Sequence, residues 1–192
     1  MAEKTRCPWA GESPIYVDYH DNEWGRPTED DFRLFEMLIL EGMQAGLSWL
    51  TVLKKRNAFR AAFDGFDPNM VARYDDAKIQ ELLVNEGIIR NRLKINAAVT
   101  NAKCFLEVSE KYGSFSEFIW AYVDYAPITS RWEKMSDLPA TTQLSDKISK
   151  DLRKMGFKFV GSTIIYSFMQ AVGMVNDHIS SCFVYNELSR DY

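Results

Sequence analysis

Apolar residues in this chain recur three or four positions apart almost from end to end, and nowhere do they alternate over the length of a strand. The pattern predicts helices. One runs from about Asp31 to Ala45, with Leu34, Met37, Leu38 and Glu41 along one stripe; Thr28 and Asp31 resemble a capping box with Asp in place of Glu, and Gly46 follows the last turn. Ser48 is placed to cap the next helix, which carries Trp49, Val52 and Leu53. Asp67-Pro68 and Asp75-Asp76 open two more, the second ending at Gly87. A long helix spans about Asn91 to Tyr112 and stops at Gly113; Ser114 then starts an amphipathic segment with Phe115, Phe118, Ile119 and Tyr122 on one side. Tyr125 to Thr142 reads as a loop, and helices return near Ser145 to Lys154 and Ser162 to Val172. The fold class is all-α, in one domain over residues 1–192 with no repeat or linker.

Composition narrows the setting. No apolar run approaches the roughly 18 to 20 residues that span a bilayer, so no membrane partner is expected, and the first nine residues have no signal-like apolar core. Three cysteines, Cys7, Cys104 and Cys182, are too few and odd for a disulfide framework, which points to a reducing, cytoplasmic compartment. The net charge of -4 argues against nucleic acid as a partner until its distribution is read. Glu3 to Glu41 holds ten acids and four bases, whereas Lys147 to Lys158 holds five bases against one acid. Such unevenness can present a basic face on an acidic protein, although each basic run reads equally as a solvated helix face.

Three constellations carry candidate chemistry. The only two histidines lie near the chain ends: His20 follows Cys7 by 13 positions, and His178 precedes Cys182 by four. That last spacing puts imidazole and thiol on one face of a helical turn, and two thiolates with two imidazoles make a closed tetrahedral shell suited to structural zinc. Incidental histidines and buried thiols remain the alternative, as Cys104 is read to be. Next, Leu82 to Ile95 reads as helix, tight turn at Gly87 and helix, with Arg90, Arg92 and Lys94 beside the second N-terminus, a recipe for gripping a DNA phosphate. Lastly, Glu41 sits on an apolar stripe, where a carboxylate is costly without a partner, whereas Glu36 has Arg33 nearby and reads as a surface residue. With Tyr16, Tyr19, Trp24 and Trp49 close in sequence, Glu41 could serve a pocket for a flat cation, or could equally be a core acid among packing aromatics.

The strings Cys7-Pro8-Trp9, His20-Asp21-Asn22-Glu23-Trp24-Gly25, Gln44-Ala45-Gly46-Leu47-Ser48-Trp49, Glu86-Gly87-Ile88-Ile89-Arg90, Gly156-Phe157-Lys158-Phe159-Val160-Gly161 and Val175-Asn176-Asp177-His178 together resemble the bacterial 3-methyladenine DNA glycosylase I family. The resemblance runs from Cys7 to about Cys182. It implies a helix-hairpin-helix glycosylase fold, with the hairpin at about residues 76–103, and a zinc ion on Cys7, His20, His178 and Cys182 joining the two ends. It implies a base flipped from double-stranded DNA containing alkylated adenine, held by Glu41 and Tyr19, stacked on Trp49 and bordered by Tyr16 and Trp24. Gln44 and Gly46 would then face the gap left in the duplex, with Gly87, Arg90, Arg92, Lys94 and Lys158 along the DNA. Glycosylases of this fold generally carry an Asp on the helix after the hairpin, but Asn96 to Gly113 contains none. A base already cationic from methylation needs little acid catalysis, so that absence fits excision of 3-methyladenine by a monomeric, monofunctional enzyme. A non-catalytic DNA-binding module and a zinc hydrolase are the rival readings.

Overall fold

The computed structural model describes residues 4–189. Ten α-helices follow in order among them: α1 Pro14–Asn22, α2 Asp31–Gln44, α3 Trp49–Ala62, α4 Pro68–Val71, α5 Asp76–Val84, α6 Arg92–Tyr112, α7 Phe115–Trp120, α8 Gln143–Lys154, α9 Ser162–Ala171 and α10 Phe183–Leu188. Two two-residue strands, β1 Ile128–Thr129 and β2 Val175–Asn176, pair in parallel.

Helix α2 is the axis of the fold. Every residue from Leu34 to Met43 is buried, and the helix packs against α3, α6, α7 and α9. Its side chains belong to one continuous apolar cluster that includes Phe35, Phe105, Phe115 and Phe157. The cap differs from the expected one. Asp30, not Thr28 with Asp31, accepts from the Phe32 and Arg33 amides. Asp31 turns its carboxylate across to α7 instead, accepting from the amides of Phe115 at 3.1 Å and Ser116 at 2.8 Å. Glu36 is also placed otherwise than expected: at 5% exposure it lies under α3, where Arg56 and Arg60 join Arg33 on its carboxylate. Two of its three partners are distant in sequence, so the local reading found only the nearest.

Caps elsewhere are local and fall where the sequence puts them. Ser48, Asp75, Asn91 and Ser114 each accept from a backbone amide three residues on. Helix α5 stops at Val84, three residues short of Gly87. The intervening turn needs Gly87 for packing, because a Cβ there would lie 2.9 Å from the Ala58 Cβ. The segment from His178 to Cys182 is a turn rather than a helix, with the Cys182 amide bonded to the Ile179 carbonyl at 2.8 Å. The β1–β2 pair was not expected, since each strand has only two residues and no alternating pattern. Its register, Ile128 with Val175 and Thr129 with Asn176, is extended by a bridge from Trp132 to Ile179. That pairing pins the loop after α7 onto the C-terminal segment.

Candidate functional site

The first three helices bring the predicted pocket residues together. Helix α1 supplies Tyr16 and Tyr19, the last turns of α2 supply Glu41 and Gln44, and Trp49 opens α3 behind its Ser48 cap. With Trp24 these line a cavity of about 210 Å³. That volume is below the roughly 300–1,000 Å³ typical of pockets for drug-sized ligands, and its walls are flat rings. Tyr19 and Trp49 have ring centroids 5.4 Å apart, and Trp9 meets Tyr16 at 5.3 Å and Trp24 at 5.0 Å edge-on. Trp9, Met135, Leu138, Ser167 and Gln170 complete the lining without having been anticipated. Trp9 had a signal, its place beside Cys7. The others come from the long loop and α9 and had none.

Glu41 is the electrostatic centre of this cavity. It is 4% exposed, and burial alone pushes its carboxyl up to about 8. No described donor offsets that burial. Tyr19 is raised well above its usual range by burial first and then by the Glu41 charge, and Tyr16 rises for the same two reasons. The Trp49 indole N–H is the one fully buried side-chain polar atom without a partner among the described residues. A larger, open groove of about 660 Å³ lies between α7 and α8, but there Tyr122 already donates to Asp151 and Lys154 pairs with the same acid. The unpaired buried acid makes the smaller cavity the candidate site.

The four candidate ligands from the two ends of the chain meet. Cys7, His20, His178 and Cys182 are buried, and one donor atom from each lies within 4.8 Å of all the others. The Cys7 Sγ to His178 Nδ1, Cys182 Sγ to His178 Nδ1 and Cys182 Sγ to His20 Nε2 separations are each 3.5 Å. A tetrahedral ion with metal–sulfur and metal–nitrogen bonds of about 2.3 and 2.0–2.1 Å requires such edges to be about 3.6 Å. The residues fit a metal ion. Each imidazole is oriented from behind: Asp21 sits 2.8 Å from His20 Nδ1, and the Trp24 carbonyl 3.0 Å from His178 Nε2. The hydrogen bond between the two thiols pulls Cys182 down, helped against burial by both imidazoles, and pushes Cys7 up. Gly25, at φ 79, lets the chain pass close behind, since a Cβ there would lie 2.9 Å from His178 Nε2.

Helix α5, the turn at Gly87 and α6 form a helical hairpin. Arg90 and Arg92 are exposed there, as is Lys158 on the loop before α9. Gly46 is exposed in the turn after Gln44. Lys94 lies elsewhere than expected: it is 8% exposed, and its Nζ is committed to the carbonyls of Met43 at 2.8 Å and Ala45 at 2.6 Å.

A model of the methyladenine glycosylase family matches residues 9–185. DNA-3-methyladenine glycosylase 1 of Escherichia coli (strain K12) is 49% identical over 180 residues, covering 94% of this chain and 96% of that one. A crystal structure of 3-methyladenine DNA glycosylase I superposes with a TM-score of 0.90 at 50% identity, over 93% of this chain and 98% of that chain. A variant of 3-methyladenine DNA glycosylase I in complex with 3-methyladenine does so with a TM-score of 0.90 at 38% identity, over 93% and 96%.

Proposed function

The chain belongs to the methyladenine glycosylase family and is an enzyme of that kind, and from this premise we propose that it removes 3-methyladenine from alkylated double-stranded DNA by hydrolysis, leaving an abasic site and an intact strand. The observation that carries the reading is Glu41, a buried carboxyl without a donor in a cavity walled by tyrosine and tryptophan. A flat cation answers that arrangement on every side, because the rings attract positive charge and the carboxylate accepts hydrogen bonds from an amino edge.

The lesion is extruded into the cavity, at a cost lowered by its poor pairing. Trp49 stacks on the ring, Tyr19 and Glu41 hold its edge, and Tyr16 and Trp24 close the sides. The bond from C1′ of the sugar to N9 of the base breaks, and its electron pair passes to the ring. That neutralises the methylated cation, so the base departs uncharged and needs no protonation. Water forms the new bond to C1′ and loses a proton to solvent. In this reading the Glu41 charge also offsets positive charge developing on the sugar. Among the described residues that line the cavity there is no lysine to serve as a Schiff-base nucleophile, in keeping with hydrolysis without strand cleavage. The exposed Arg90, Arg92 and Lys158, with the amides of the Gly87 turn, grip phosphates, while Gln44 and Gly46 face the vacated stack. We assign zinc to Cys7, His20, His178 and Cys182; it would supply a structural cross-link, since four protein ligands leave no position for water.

The test incubates the protein with N-methylated duplex DNA and measures free base by chromatography. Wild type should release 3-methyladenine, Glu41→Gln should release it at least about a hundredfold more slowly, and the strand should break only after alkali. Retention of all methylated adenine by folded wild type would overturn the reading; covalent trapping on DNA by borohydride would overturn its monofunctional part.

A further inference from the structure

Lys94 stands among the hairpin cations in sequence but does something different in space. Its ammonium donates to the carbonyls of Met43 and Ala45, on either side of Gln44, at 2.8 and 2.6 Å. These carbonyls end α2, where the last backbone acceptors have no partner within the helix and the helix dipole favours a cation. Glu41 lies one turn earlier on the same helix. Seven residues beyond Lys94, two turns along the same face of α6, Asn101 is 3% exposed and clamps the next loop. It accepts from the Lys158 amide at 2.7 Å and donates to the Lys158 carbonyl at 2.9 Å. Phe159 then sits at φ 54, a conformation that bulky side chains rarely adopt, close against α2: a Cβ on Gly42 would lie 3.3 Å from the Phe159 Cβ. One face of α6 therefore fixes the end of α2 directly through Lys94 and also through the Phe159 loop.

We propose that Lys94 is a positioning residue that locks the phosphate-gripping hairpin to the end of α2, so that the duplex held by α6 is presented in register to Gln44 and Glu41. The inference rests on the glycosylase reading above. A phosphate contact at this position would act on DNA affinity; a lock acts on the step after binding. Burial lowers the Lys94 pKa, as an ammonium drawn away from solvent requires, and two carbonyls replace its water. Nothing in this arrangement leaves the ammonium reaching outward for DNA.

The experiment compares wild type, Lys94→Met and Lys94→Gln, the last keeping amide donors for the carbonyls. Folded protein is quantified by circular dichroism, base release is followed under single-turnover conditions at saturating methylated duplex, and binding to a duplex with a stable abasic-site analogue is titrated against salt. Lys94→Met should lose about ten- to a hundredfold in release rate per folded molecule, with duplex affinity and its salt slope unchanged, and Lys94→Gln should recover part of the loss. If Lys94→Met does not fold, Lys94→Gln carries the same two readouts and should still show slowed release at an unchanged slope. A slope reduced by about one in either variant would make Lys94 a phosphate contact, and an unaltered release rate per folded molecule would leave it a purely structural residue. Either result overturns the lock while wild-type release stands. Absence of release by wild type overturns the glycosylase reading and the lock with it.

Discussion

Glu41 gives up stability that the free protein could otherwise have. Its carboxyl, ordinarily near 4.5, is raised by burial to about 8, so the folded state holds a proton that the unfolded chain has already lost over that interval. The sign follows from linkage: the native state binds the extra proton, so this group's contribution is fully present below about 4.5 and is lost as pH rises through about 8. Glu41→Gln cannot ionise, and it should be the more stable protein at pH 8, by on the order of a few kcal/mol, with the advantage shrinking toward pH 5. Denaturant melts of both proteins at the two pH values measure this; a difference constant across pH would mean that burial is not the cause. The same group sets the catalytic expectation. If the Glu41 carboxylate is the form that receives the cationic base, kcat/KM for release should climb with pH, reach half its plateau at about 8 and level above that, and the climb should be absent in Glu41→Gln. This residue was legible from its apolar neighbours on one helix. Glu36 was not, because Arg56 and Arg60 stand 20 and 24 positions away and only Arg33 is local.

Those distant arginines matter between elements. Glu36 and Arg56 are both buried, at 5% and 6% exposure, and Arg56 also reaches Glu23 at the end of α1. The network thus ties α1, α2 and α3, the three elements that hold the pocket aromatics. Glu36→Ala leaves the buried Arg56 guanidinium with Glu23 as its remaining acid and should cost up to about 3–5 kcal/mol in urea unfolding. Asp31→Ala removes the carboxylate over the α7 amides, an exchange of the helix-cap kind, and should cost about 0.5–2 kcal/mol. Equal losses in the two variants would refute the claim that the Glu36 network is the deeper tie. Element boundaries follow the same division between local and distant causes. Caps at Ser48, Asp75, Asn91 and Ser114 act within three residues, so the sequence alone locates them. Strands β1 and β2 exist because residues near 128 and 175 meet across the fold, and no nearby pattern announces that meeting. The pocket divides likewise: Tyr16, Tyr19, Trp24, Glu41 and Trp49 come from one stretch, while Met135, Leu138, Ser167 and Gln170 arrive through that strand pairing and α9.

At the scale of the whole molecule, the cluster of Cys7, His20, His178 and Cys182 joins the two ends of the chain and lies directly behind the pocket wall. The Trp24 carbonyl orients His178 while the Trp24 ring lines the cavity, and Trp9 touches both Trp24 and the His20 ring. Loss of the ion would therefore loosen the termini first and the aromatic wall second. A bound ion that closes so long a loop constrains the unfolded chain as a disulfide does, an effect of about 4–5 kcal/mol for loops of a hundred residues or more. Purified protein should contain one zinc per chain by elemental analysis. Stripping it with a strong chelator, or substituting Cys182→Ala, should lower the Tm by roughly 8–20 °C, while base release per folded molecule falls much less. A catalytic ion predicts the reverse, an immediate loss of release from protein whose helical signal and Tm are unchanged. The donor set argues for the first outcome, because an ion with every position taken by protein can hold the chain together but has nowhere to hold a reacting water.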